Sequence, residues 1–181
     1  MKRVIVGDAG CLTAPDGQAA LPGALEAVAH LNQAGFTVIA ASDIPALATD
    51  GQAMAAANAR YARLQQALGA MGGRIDAVFF CSALPGAFDT AFAGLLRDVA
   101  LRYQEPPGDL QAIFAGSGEA RAALAAGVVL HRLERAARTA GDPPLPTNGA
   151  AYPDLASCAQ ALVAAADRSS EPSERNDTQA P

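Results

Sequence analysis

The chain has 181 residues, half of them apolar, and a formal net charge of −5. That length suits one domain with a sizeable core, and the acidic balance speaks against a nucleic-acid surface, which normally shows as a basic patch. No apolar run reaches the ~20 residues of a membrane-spanning helix, and MKRVIV lacks the apolar region and small-residue cleavage site of a signal peptide. The expectation is a cytoplasmic protein without membrane or nucleic-acid partners. Cys11, Cys81 and Cys158 are odd in number and far apart, which points to reduced thiols and not to a disulfide framework.

The predicted elements alternate. Arg3–Val6 reads as a strand, and Ala24–Gln33 as a helix with Leu25, Val28 and Leu31 on one face and Gly35 closing it. Thr37–Ala41 is a second strand. Ala55–Met71 is a long helix ended by Gly72-Gly73, and Ala77–Cys81 is a third strand. Asp89–Arg102 is a helix, Ala112–Ala115 a strand, Glu119–Ala126 a helix and Val128–His131 a strand. Ser157–Ala166 is a last helix with Ser157 as its N-cap. Strands alternating with helices imply a parallel sheet covered on both faces. The polar stretch DRSSEPSERNDTQAP, residues 167–181, carries too little apolar surface to fold and is expected to be disordered, leaving a domain over residues 1–166.

In parallel sheets ligands bind beyond the carboxyl ends of the strands. The segments that matter are therefore Gly7–Gly10, Ser42–Asp43, Ser82–Ala83 and Gly116–Gly118. The first lies in VIVGDAGCLT, where an apolar strand runs into a loop carrying a lone acid, Asp8.

With LPGALEAVAHLNQAGFTVIAAS, RYARLQQALGAMGGRIDAVFFCSALPG and IFAGSGEARAALAAGV, this stretch resembles the haloacid dehalogenase superfamily of phosphatases. The nearest likeness is to the heptose bisphosphate and histidinol-phosphate phosphatases, over roughly residues 1–131 and more weakly over SCAQAL. The resemblance implies a three-layer Rossmann-like α/β fold without a large cap domain.

It also implies chemistry that these residues do not match. The family ends its first strand in Asp-x-Asp, a nucleophile followed by the acid for the leaving group. Matching glycine to glycine at Gly10 puts Gly7 at the first position and Ala9 at the second. A one-residue slide makes Asp8 the nucleophile but leaves Gly10 where the acid belongs. Ser42 matches the family's phosphate-binding hydroxyl, with Asp43 in place of Asn. Thr90 falls near the family's phosphate-neutralising Lys, and the only Lys in the chain, Lys2, is at the opposite end of the first strand. Arg97 is a candidate substitute, though Arg and Lys are not interchangeable at a close-packed site. In GSGEAR, Ser117 and Arg121 stand at the two magnesium-binding acid positions. A family zinc loop is represented by Cys81 alone, with Ala83 in place of His, and structural zinc wants four ligands.

Each residue also has a plainer reading. Asp8 serves as a turn residue, Ser42 as a cap, and Gly116–Gly118 as a turn instead of an anion nest with phosphate contacts at Gly116 and Gly118. His30 reads as a helix-surface residue, His131 as a strand end, Cys11 as an unassisted thiol, and HRLERAARTA as a solvated helix face. The expectation is a non-catalytic homologue of a sugar-bisphosphate phosphatase, a pseudoenzyme that binds a protein partner, itself or, weakly, a sugar phosphate, with no metal or other cofactor. The alternative is a magnesium-dependent phosphomonoesterase with a rearranged site, using Asp8 as nucleophile and Asp43 and Glu119 as metal ligands.

Overall fold

A computed structural model describes residues 2–14, 17, 19–84, 86–134 and 149–169. β1 (Lys2–Gly7), β2 (Phe36–Asp43), β3 (Ala77–Cys81), β4 (Gln111–Phe114), β5 (Val129–Leu133) and β6 (Ala150–Tyr152) form one sheet in the order β3-β2-β1-β4-β5-β6. All its pairings are parallel. Between them run α1 (Ala24–Gln33), α2 (Ala53–Gly69), α3 (Phe88–Tyr103), α4 (Ser117–Ala126) and α5 (Leu155–Arg168).

Side-chain alternation divides β1 between two apolar layers. Val4 and Val6 are buried with Leu25, Val28 and Leu31 of α1, Tyr61, Leu64 and Leu68 of α2, and Leu155 and Leu162 of α5. Ile5 is buried on the other side with Phe92, Leu96 and Val99 of α3 and the alanines of α4. Small alanines let α3 and α4 lie close to the sheet and to each other. The result is the expected three-layer sandwich, and among the described residues no helix or strand lies outside it. The chain leaves β1 toward β2 on one side and later returns to β4 on the other. The ends of β1 and β4 therefore flank the reversal of strand order, where α/β sheets open a crevice.

The helix over Ala24–Gln33 and the strand over Ala77–Cys81 have the bounds expected from sequence, and the other expected elements differ at their ends. Gly35 adopts φ 82°, the left-handed conformation that closes α1. Three readings are corrected. Ser157 is not the cap of α5: that residue is Asp154, whose carboxylate oxygen accepts the Ser157 N–H at 2.8 Å. His131 is not at a strand end but inside β5. It is buried and 2.7 Å from the Gln111 side-chain oxygen, and burial pushes its pKa down to about 4. Arg132, read as part of a solvated face, is buried in β5. β6, three residues long, is too short to show a period in the sequence. α5 runs to Arg168, two residues into the stretch expected to be disordered; residues 170–181, like 135–140 of the arginine run, lie outside the described residues. The cysteines are free and buried. No helix among the described residues is long and apolar enough to cross a membrane.

The capping geometry makes a discriminating prediction. Asp154→Ala should cost about 0.5–2 kcal/mol in chemical denaturation, whereas Ser157→Ala, which leaves the backbone donor in place, should cost only a few tenths of a kcal/mol at this half-buried position.

Candidate functional site

The end of β1 presents consecutive residues to opposite layers. Asp8 turns toward α2 and Gly7 toward β4 and α4, and they meet different surroundings.

Asp8 is 4 % exposed. Its main-chain carbonyl accepts the N–H groups of Cys11, Leu12 and Thr13, which makes it the pivot of the turn after β1. Its carboxylate accepts the Thr13 hydroxyl at 2.8 Å on one oxygen. The other oxygen takes the Ser42 hydroxyl at 3.1 Å and an ion pair with the Arg60 guanidinium. Arg60 also approaches the Ser42 hydroxyl at 3.5 Å and lies over the Tyr61 ring, 5.3 Å from its centroid. The Tyr61 hydroxyl, buried without a hydrogen bond of regular geometry, is held protonated first by burial and then by the Asp8 charge. Asp8 is thus the pivot of a turn, and both of its carboxylate oxygens have partners. Ser42, at the end of β2, bonds to Asp8.

Gly7 has no room for a side chain. A Cβ there would lie 2.9 Å from Phe114 Cδ1, 3.4 Å from Glu119 Oε1 and 3.5 Å from Cys11 Sγ. Phe114 is fully buried at the end of β4, edge-on to Phe92 with ring centroids 5.5 Å apart. Glu119, in the first turn of α4, folds its carboxylate back to accept the Gly116 N–H at 3.0 Å. One donor of the Gly116–Gly118 turn is therefore occupied by the chain's own carboxylate. Gly118 packs against the Phe88 ring, which a Cβ would meet at 2.9 Å. Burial, with smaller contributions from the Asp8 and Asp43 charges, pushes the Glu119 pKa up to about 7 against the pull of the Gly116 N–H. Cys11 is fully buried and its thiol donates to the Ile113 carbonyl at 3.6 Å.

The remaining sequence candidates are spread around this end of the sheet. Ala9 is exposed on the turn. Asp43 Oδ1 accepts the Ala83 N–H at 3.1 Å, tying the ends of β2 and β3 together. Cys81 is buried beside it, its thiol pushed up by burial and then by the Asp43 charge. Thr90 is exposed on the first turn of α3. Next to it, Asp89 holds Arg121 of α4 through two contacts, 2.6 Å to Nε and 3.2 Å to Nη2, so a cation–carboxylate clasp joins the starts of α3 and α4. Arg97 is not in the site; its guanidinium donates to the Ala125 carbonyl at the far end of α4.

Arg60 is the residue that sequence reading missed. In the sequence it only begins the stretch RYARLQQALGAMGGRIDAVFFCSALPG, yet it supplies the cation beside Asp8. The signal that points to it is electrostatic: a carboxylate buried at a strand end requires a partner, and Arg60 lies one helix away. It also lines a cleft of about 470 Å³ with Asp43, Ile44, Pro45, Asp50 and Arg63, between the end of β2 and α2.

Magnesium takes an octahedral shell of oxygen ligands, and this donor set does not fit it. The Asp8 oxygens are committed to Thr13, Ser42 and Arg60, Asp43 and Glu119 each accept a backbone N–H, and Arg121 is a cation. Among the described residues no group of three or more His, Cys, Asp or Glu could hold a metal ion.

No family model matches the chain. A D-glycero-beta-D-manno-heptose-1,7-bisphosphate 7-phosphatase of Bordetella bronchiseptica is 33% identical over 154 residues, 82% of this chain and 86% of that protein. The phosphatase of the same name from Pseudomonas aeruginosa is 30% identical over 151 residues, 79% of this chain and 83% of that protein. The crystal structure of the B. bronchiseptica D,D-heptose 1,7-bisphosphate phosphatase, described as complexed with magnesium and phosphate, superimposes with a TM-score of 0.78 at 30% identity, covering 91% of this chain and 99% of that one. The fold is thus that of the haloacid dehalogenase superfamily. Within it, the chain belongs to the family of D-glycero-beta-D-manno-heptose-1,7-bisphosphate 7-phosphatases.

Two predictions follow from the Gly7 face of β1. Filling the Gly7 position must displace a buried ring, so Gly7→Ala should cost about 1–3 kcal/mol, as overpacking does, and Gly7→Asp more, because the new carboxylate lies against Glu119; urea unfolding measures both. Glu119 binds its proton more tightly folded than unfolded, since its pKa rises from 4.5 to about 7. Its contribution is therefore full below pH 4.5 and is lost as pH rises through about 7. Glu119→Gln should accordingly stabilise the protein at pH 8, by an amount on the order of 2 kcal/mol, and change little at pH 4.5; melting curves at the two pH values read this difference.

Proposed function

We propose that this chain is a non-catalytic member of the heptose bisphosphate phosphatase family, a cytoplasmic binding or regulatory protein that uses neither magnesium nor zinc. The observation that carries this reading is the end of β1. Family chemistry needs a carboxylate free to attack phosphorus there, and a second group for the leaving-group proton. Gly7 faces a buried ring, Ala9 has no proton to give, and Asp8 already carries Arg60, Thr13 and Ser42. A nucleophile in that state would have to break an ion pair and hydrogen bonds before each turnover. Arg121 at a magnesium-ligand position, clasped to Asp89, supports the same conclusion. The competing reading, a phosphomonoesterase using Asp8 with Asp43 and Glu119 as metal ligands, requires those acids to release the donors they now accept.

For a binding role, sugar phosphates are weak ligands. The Ser42 hydroxyl is already engaged, and a phosphate dianion would meet the charges of Asp8 and Asp43 with Arg60 only partly available. A protein partner or a second copy of the chain is the more favourable target.

The test is turnover. Purified protein with magnesium should release no phosphate above blank from D-glycero-beta-D-manno-heptose 1,7-bisphosphate or from an aryl phosphate. Losing a nucleophile from a cooperating constellation costs on the order of 10⁶ in rate. Turnover that disappears in Asp8→Asn would overturn the non-catalytic reading and establish Asp8 as the nucleophile.

A further inference from the structure

The outward face of α3 is distant from the end of β1 in chemistry and purpose. Leu101 is 79 % exposed in the last turns of this helix. A single exposed leucine is ordinary; here it borders an apolar groove. α3 stops at Gln104, which takes φ 53°, a left-handed conformation uncommon outside glycine. The chain then turns through Pro106 and Pro107 back toward β4. The resulting groove, about 660 Å³, is lined by Arg97, Ala100, Leu101, Gln104, Glu105, Pro106 and Pro107, with the Glu105 carboxylate paired to Arg3.

The charges on this face form a second, independent pattern. Asp98 and Arg102 are exposed and four residues apart, so they share one side of the helix. Among the described residues neither has an ion-pair partner. Arg102 instead lies over the Phe79 ring, 5.9 Å from its centroid. In an isologous contact each patch meets its own copy, so residue i touches j and j touches i. When two identical helices pack antiparallel about a two-fold axis beside residue 100, position 98 of one comes level with position 102 of the other, on the same side. Acid then meets base twice. Leu101, next to the axis, faces the groove of the opposite copy.

We propose that the C-terminal half of α3 is a docking surface for a second copy of this chain, with each Leu101 seated in the other copy's groove and each Asp98 paired with Arg102 of the other copy. The contact is one helix and one turn wide, so it belongs to the small, weak class of interfaces and forms a reversible dimer. It leaves the end of β1 and its cleft unobstructed, and it holds whether or not the protein turns over phosphate esters.

Sedimentation equilibrium of the full chain, from about 10 μM to about 1 mM, tests this directly. The wild type should move from monomer toward dimer mass over that range, and Leu101→Asp should weaken association at least tenfold. Asp98→Arg and Arg102→Asp should each be monomeric alone, because each copy then meets its own sign of charge. Mixed together, they should dimerise again, since the mixture restores both opposite-sign pairs. The side chains are exposed, and unchanged melting of each variant confirms that the fold is intact. A wild type that stays monomeric throughout, a Leu101→Asp protein that associates like wild type, or a mixture of charge variants that fails to associate would each overturn the proposal.

Discussion

The ion pair between Asp8 and Arg60 is the constraint around which this end of the molecule is organised. Asp8 closes the turn after β1 through its carbonyl and reaches β2 and α2 through its carboxylate. One residue thus joins a strand, its following loop, the neighbouring strand and a covering helix. Removing one member of such a largely buried pair leaves the other charge uncompensated, at a cost of about 3–5 kcal/mol. The same pairing withdraws the carboxylate from chemistry. Both oxygens of this acid carry partners from within the chain, Thr13 on one and Ser42 with Arg60 on the other. Stability and inertness follow from the same contacts.

On the opposite face the constraint is steric. The Phe114 ring and the Glu119 carboxylate stand where a side chain on Gly7 would project. Glu119 is held there by the Gly116 N–H at the start of α4. The helix start thereby satisfies one of its exposed donors internally, which is a use of a helix N-terminus that competes with binding an external anion. Asp89 and Arg121 close the adjacent rim. At this end of the sheet the Glu119 carboxylate and the Asp89–Arg121 pair are thus each partnered within the chain.

Much of this fold was legible in the sequence because its signals are local. Leu25, Val28 and Leu31 recur at helical spacing, and VIV and AVFFC are short β-branched or aromatic runs. The strand ends, where Asp8, Ser42 and Gly116 lie, followed from the alternation of elements. What escaped was non-local or too short. β6 has three residues, less than two periods of alternation. The N-cap of α5 fell to Asp154 instead of Ser157 because both residue types cap well, and only the backbone path decides between them. Arg60 could be tied to Asp8 only by knowing that α2 crosses the end of β1, 52 residues earlier in the chain. Arg97 was a candidate substitute for the phosphate-neutralising Lys that the resemblance implies, but its place on α3 carries it to the far end of α4.

The opposite fates of Gly7 and Asp8 are a matter of parity. A strand delivers successive side chains to alternate sides, so an acid one step along the chain is about as far from its neighbour's chemistry as the sheet is thick. Point substitution cannot move a functional group across that boundary; it can only change what sits on each side. Converting one arrangement into the other takes substitution at both positions, together with repacking in both layers. The two positions are neighbours in the chain, yet an acid at position 7 would meet the Phe114 ring, and removing Asp8 would leave Arg60 without its carboxylate.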